Sequence, residues 1–434
     1  MQHRASRRLA VTIVAAAVAL SACSSDGSNS SAETTGAALP LPELVTATKP
    51  PVPPPEVAQW RAPALSGPQP AWKAPFDDVP LAAGDTLVGV VFPVDTQSDL
   101  SIVGVDLSGA TRWRVWTNPS CVGYGVTRVN DRPAAVVLAS NADNRGDKVA
   151  TETTANAYDA QDGHRVWGPV RVPGPLQGPG LIFGKVTASV VGGETGPRVM
   201  LNTDTGEPVE PPTRDAVPLY EHDGLGLFGK DGTLTAVDTS TGEVLWTSTE
   251  LHLPPQWPSR ARSVELLSST QASKAGVVAL RWSGSDGDGA ASAPRTALHD
   301  LRTGNLLVAL GNETDVRTVV ADQGKAAIVA GLNGFTETRA YDLDSGQLDW
   351  TINGGGAGLV DITVADGGVG FGTRAGQSVA VQLATGRILE QGDWPAPVAA
   401  NKGTLLTALP RDPAAEPNDR LAGAGPGFVA YRTR

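Results

Sequence analysis

The histidine, cysteine and carboxylate positions bound what reactions this chain of 434 residues could run. Five histidines, His3, His164, His222, His252 and His299, are scattered along it. None has the His-Glu-x-x-His spacing that places two zinc ligands on one helical face. The two cysteines, Cys23 and Cys121, are too few for a Cys-rich metal centre, and no adjacent pair exists. Cys121 reads as a small buried residue. A Gly-x-Ser-x-Gly nucleophile elbow is absent. Gly224-Leu-Gly226-Leu-Phe-Gly229 formally matches a dinucleotide fingerprint, but that fingerprint must open a helix, and strand residues follow. Asp286-Gly-Asp288 lacks the further carboxylates of a calcium loop. We therefore assign no catalytic, cofactor or metal residues. One concentration of recognition chemistry remains: His252, Trp257, Arg260 and Arg262 between residues 248 and 263, close in sequence to Asp286 and Asp288. Trp and Arg are common interface anchors, so these six residues form the candidate interaction patch. The same residues are equally compatible with Trp257 packing beneath a proline-rich loop and the arginines pairing with local carboxylates.

The elements that position this patch are repeats. Asp238-Thr-Ser-Thr-Gly242-Glu-Val-Leu-Trp246, Asp342-Leu-Asp-Ser-Gly346-Gln-Leu-Asp-Trp350 and Asp159-Ala-Gln-Asp-Gly163-His-Arg-Val-Trp167 are the clearest copies, with looser ones at Gly109, Gly206, Gly304 and Gly386. Each reads as a strand, a tight turn and an outgoing strand. Gly supplies a positive φ, and Asp and Thr side chains can satisfy the turn's own amides. The alternation of Thr233-Leu-Thr-Ala236 puts Leu234 and Ala236 on one face of a strand. The Trp that follows the turn is placed to fill the wedge between neighbouring sheets. A period of about forty residues with this content implies a circular array, because one unit cannot bury its own faces.

The expected fold is an all-β, eight-bladed β-propeller of four-stranded antiparallel blades, with seven blades as the alternative. Units fall at about 79–116, 124–170, 180–210, 217–247, 264–309, 316–352, 359–391 and 397–434. The last shows three strands, so an N-terminal strand, read at Glu56-Val-Ala-Gln-Trp60, is expected to close the ring and remove the exposed edges. In such blades the connections between second and third strands share one face with the blade-to-blade connections. Enlarged segments at 141–151, 283–295, 409–425 and 248–263 are expected to open there, and loops on a rigid scaffold are where binding resides.

The net charge of −11 argues against a nucleic-acid partner, since no Lys/Arg run offsets it. Residues 1–23 read as an export leader: Arg4, Arg7 and Arg8 precede an apolar run from Leu9 to Leu20 that is short for a membrane span. Residues 24–55 are Ser/Thr-rich and then Pro-rich, the composition of a disordered, solvated tether. The propeller is expected over 56–434.

Leu20-Ser21-Ala22-Cys23 resembles a bacterial lipobox, which implies lipidation of the Cys23 thiol and cleavage before it, and so an extracytoplasmic, membrane-anchored location. The Asp-x-x-Thr-Gly-x-x-x-Trp phrase resembles the repeats of pyrroloquinoline-quinone-dependent dehydrogenase propellers, over nearly all of the chain beyond residue 56. That repeat occurs in two kinds of protein: quinoprotein dehydrogenases, and the propeller lipoprotein of the outer-membrane β-barrel assembly machinery. Lipobox, tether and bare propeller resemble the second arrangement, which implies a non-catalytic scaffold holding a protein partner in the cell envelope. The adjacent cysteines typical of the quinoprotein enzymes are missing. A divergent quinoprotein dehydrogenase and a glycan or small-ligand binding module are the alternatives.

Overall fold

A computed structural model describes residues 38–54, 61–93, 99–118, 123–142, 150–186, 195–254, 257, 260–267, 276–285, 293–312, 316–330, 336–356, 358–409 and 427–434. Among them every regular element is a strand, and neighbouring strands pair antiparallel. The strands form eight sheets, numbered here 1–8 in chain order from residue 81. Seven are four-stranded or larger, and sheet 3 is a two-stranded ribbon, Ile182–Val186 with Thr195–Met200. The count of complete blades is therefore seven, the alternative reading, and the eight-blade expectation is corrected at the unit 180–210. Single bridges, Leu176 to Phe183 and Leu201 to Pro208, mark where the first and fourth strands of sheet 3 would run. The proline and glycine residues of 173–180 explain the shortfall, since proline donates no ladder hydrogen bond and glycine packs nothing.

Sheet 4 shows how sequence makes a blade. Its strands Val217–His222, Leu225–Lys230, Thr233–Asp238 and Val244–Thr247 follow one another from inside to outside. Leu234 and Ala236 are both buried, as the alternation requires. At the outer turn the amides of Ser240 and Thr241 donate to Asp238 Oδ1 at 2.9 and 3.3 Å, and the Gly242 amide donates to the Asp238 carbonyl at 2.8 Å. Asp342 and Asp300 build the same turn, and Asn202 and Gln382 stand in for Asp in sheets 3 and 7.

The core is distributed over the seams, with one buried apolar cluster between each pair of adjacent sheets. At five seams the outer-strand Trp of one sheet lies on the turn glycine of the next. Trp113 meets Gly163, Trp167 meets Gly206, Trp246 meets Gly304, Trp350 meets Gly386, and Trp72 meets Gly109. In the first four the indole also donates across the seam, to the carbonyls of Ala160, Thr203, Leu301 and Leu383 at 2.6–2.9 Å. A Cβ built on Gly163 would lie 2.4 Å from Trp113 Cβ, so glycine there is required for contact as well as for its φ of 78°.

Closure by an N-terminal strand is observed. The strand is Trp72–Ala74, which pairs with the C-terminal strand Phe428–Arg432 to complete sheet 8. The segment read for this role, 56–60, lies outside the described residues. The preceding segment also departs from expectation, because residues 43–52 are not a free tether. Glu43–Val45 adds a fifth strand to the outer edge of sheet 1, pairing with Arg114, Val115 and Trp116. Lys49 and Thr111 then exchange two backbone hydrogen bonds at 2.8 and 3.0 Å, and Lys73 donates to the Val52 carbonyl at 2.9 Å. The physical reason is an open edge. Sheet 1 presents unpaired groups along Thr111–Thr117, and a proline-rich segment with few donors can still satisfy them.

Candidate interaction surface

The antiparallel order gives the ring two dissimilar faces. One carries the tight turns between first and second strands, such as Asp223-Gly224, and the Asp-to-Gly turns between third and fourth strands. The other carries the connections between second and third strands and the crossings from sheet to sheet. The bases of 141–151, 283–295 and 409–425 lie on this second face, as expected, and the central parts of these segments lie outside the described residues.

The connection after sheet 4 behaves differently from its expectation. Residues 249–254 do not stand open on the second face; they fold back into the wedge between sheets 4 and 5. Leu251 reaches Gly304, where its Cδ2 would lie 2.6 Å from an added Cβ, and Leu253 packs against the same core. Trp257 is 6 % exposed and joins Leu234, Trp246, Leu280 and Trp282 in that core. The structure therefore makes Trp257 a packing residue, and the anchor role assigned to it is corrected. The reason is composition: four large apolar residues, Leu251, Leu253, Pro254 and Trp257, gain more from the wedge than from solvent.

His252, between two of those leucines, remains exposed. It lines a groove of about 780 Å³ on the outer rim. The floor of the groove is Leu245, Leu306, Leu307 and Leu343, and its border is Glu250, Asn305, Asp344 and the neighbouring turns of sheets 5 and 6. The groove opens where the Trp series is interrupted: the position in sheet 5 equivalent to Trp246 is Val308, so no indole fills the seam toward sheet 6. Arg260 and Arg262 belong to the innermost strand of sheet 5, Arg260–Leu266, and their side chains lie outside the described residues. Asp286 and Asp288 lie outside them entirely, as does Cys23. Of the six patch residues, the structure thus places His252 in a groove and Trp257 in the core between sheets 4 and 5.

A second groove, of about 800 Å³, lies on the second face above sheet 4. Sheet 4 turns there through the tight hairpin Lys230-Asp231-Gly232, which leaves a depression bordered by Arg198, Val217, Leu219 and Leu266.

Sequence reasoning passed over Glu221. This carboxylate is fully buried on the inner strand of sheet 4. Its Oε2 accepts from the Leu181 amide at 2.7 Å, and its Oε1 accepts from the Gly224 amide at 2.9 Å and from Thr127 Oγ1 at 3.1 Å. Burial pushes the carboxyl up to about 7, against three hydrogen bonds that favour its ionised form. The contacts span sheets 2, 3 and 4, so the group stands in for ladder bonds that sheet 3 lacks. The available signal was a carboxylate set directly in the strand pattern Leu219-Tyr-Glu-His222.

Among the described residues, one group has the ligand atoms to hold a cation: Asp159, Asp162 and His164 in the outer turn of sheet 2. These groups already serve the turn. Asp159 Oδ1 accepts from the Gln161 amide at 2.8 Å, and Asp162 Oδ1 lies 2.6 Å from His164 Nδ1.

No family model and no curated protein matches the chain. Solved structures do. BamB from Moraxella catarrhalis is similar over 82 % of this chain and 95 % of its own, at 17 % identity and a TM-score of 0.39. The computationally designed Ika8 protein is similar over 81 % and 95 %, at 14 % identity and a TM-score of 0.41. A europium-containing methanol dehydrogenase is similar over 84 % and 92 %, at 13 % identity and a TM-score of 0.38.

Proposed function

We propose that this chain is a non-catalytic propeller scaffold of the cell envelope, lipid-anchored through Cys23, that holds a protein partner against its rim. The leader with Leu20-Ser21-Ala22-Cys23 supports the anchor. The observation that carries the binding reading is the rim groove, an apolar floor bordered by exposed polar groups, which runs from the loop folded between sheets 4 and 5 to the seam between sheets 5 and 6 that lacks a docked indole. A surface of this kind suits a side-chain anchor from a partner, because its walls are ordered before binding and little entropy is lost.

The test is to cross-link intact cells, purify the protein, and compare it with a His252→Glu/Asn305→Lys variant that alters only exposed groups of the groove. A stoichiometric partner present with the wild type and lost with the variant is the expected outcome. A solitary protein, or a partner retained in full by the variant, would sink the reading.

A further inference from the structure

The course of residues 38–54 fixes where the N-terminal segment leaves the ring. The outer strand of sheet 1, Thr111–Thr117, runs from an Asp-to-Gly turn on the first face to the second face. Glu43–Val45 pairs with it antiparallel, with Glu43 opposite Trp116 and Val45 opposite Arg114. Lys49 lies farther back, opposite Thr111. Traced toward its start, the segment therefore climbs the rim from the first face to the second. Its next fixed point agrees: the Pro40 carbonyl accepts from Thr154 Oγ1 at 2.7 Å, at the end of the sheet 2 strand Thr153–Asp159 that lies on the second face. Antiparallel pairing, two backbone hydrogen bonds at Lys49 and a side-chain bond at Pro40 give one direction from three independent contacts.

We infer that residues 40–52 are a directional strap, which makes the lipid tether leave at the second face, on the rim between sheets 1 and 2, and holds that face toward the bilayer. The inference rests on the lipid-anchor reading above. With the strap docked, only residues 24–39 separate Cys23 from the first contact at Pro40, and such a segment spans no more than about 60 Å even when fully extended. Had 24–55 all been free, that limit would be roughly twice as long, and neither face would be favoured. The strap thus converts a long tether, indifferent to orientation, into a short one with a fixed point of departure.

The test uses the two ends of one strand. Thr151 and Gln161 are both exposed and flank Thr153–Asp159, on the second and first faces respectively. The chain from residue 23, carrying Cys121→Ser, is coupled through the Cys23 thiol to a maleimide lipid in vesicles. A fluorophore is introduced at 151 or at 161 through an azide-bearing residue, and a quencher is attached to the lipid headgroups. Quenching at least about twofold stronger at 151 than at 161 is expected, given a separation of roughly 20 Å or more along the strand. A Leu44→Pro/Val45→Pro variant, which removes the donors that pair with sheet 1, is expected to abolish the difference. Equal or reversed quenching, or a difference that survives the proline variant, overturns the inference. Flotation of the cell-derived protein with vesicles tests the anchor separately. If it fails while the coupled protein shows the asymmetry, the anchor reading falls and the strap's direction stands.

Discussion

Gly163 and Gly242 occupy the same turn in sheets 2 and 4, with φ of 78° and 74°, and differ in what faces them. A Cβ on Gly163 would collide with Trp113, whereas one on Gly242 would meet nothing within 4 Å. Alanine at either position bears the left-handed backbone cost of about 1–2 kcal/mol. At Gly163 an overpacking cost of about 1–3 kcal/mol is added, because the Trp113 ring is itself held by its bond to Ala160. Gly163→Ala is therefore expected to destabilise the protein more than Gly242→Ala in urea unfolding, and equal losses would show that the indole can move aside. At this scale the sequence was legible where chemistry is local. Asp, Thr and Gly specify a turn among themselves, so the Asp238, Asp300 and Asp342 turns form as read. The Trp on the outgoing strand was also readable as a wedge filler. Its partner was not, since the glycine it meets belongs to the next repeat, and nothing in one repeat names a residue of another.

Among the elements, sheet 3 depends most on its neighbours. Its two-stranded ladder is supplemented by Glu221, and a Cβ on Gly180 would sit 2.1 Å from Glu221 Oε2, so the carboxylate is closely enclosed. Burial lifts this carboxyl from the ordinary 4.5 to about 7. Between those values the folded chain keeps a proton that the unfolded chain has released. The stability Glu221 contributes is thus greatest below about pH 4.5, declines as pH rises, and is level again above about 7. The decline is on the order of 3 kcal/mol for such a shift. Glu221→Gln cannot ionise and is expected to flatten the loss of stability between pH 5 and 7.5; an unchanged slope would assign it to other groups. Elements that depart from simple patterns were the ones misread. The strap residues 43–52 carry no alternation, and proline with small polar residues reads as solvated chain. Only the unpaired edge of sheet 1, a property of another element, makes it a strand. Residues 249–254 and Trp257 were misread for a related reason, since Trp and Leu mark a buried position as well as an anchor, and the wedge that decides between them is built by sheets 4 and 5.

For the whole molecule, the seams matter more than the sheets. Docked indoles connect sheet 8 to 1, 1 to 2, 2 to 3, 4 to 5 and 6 to 7. The seams from 3 to 4, from 5 to 6 and from 7 to 8 pack without an indole docked on the next turn glycine, on residues such as Phe228, Tyr341 and Trp394. The rim groove reaches one of these three seams, which ties the proposed place of binding to an interruption in the repeat. Repeat period, strand order and closure from the N-terminal side were all legible, because they follow from the requirement that every edge be covered. The number of complete blades was not, since a degenerate repeat keeps its turn at Asn202–Gly206 while its ladder shrinks to two strands.

The pairing of Trp72 with Ala430 has a consequence for how the chain is made. Trp72–Ala74 emerges during synthesis long before its partner Phe428–Arg432, so sheet 8 cannot form until that later strand is made. A chain ending before Phe428 would leave Trp72, Phe76 and Leu406 uncovered in the seam to sheet 1. Such a truncation is expected to lose cooperative unfolding and become protease-sensitive throughout, and a cooperative transition in it would disprove this. Ring closure and compactness are then the same event, and a chain stopped before Phe428 is marked for degradation by its own exposed interior.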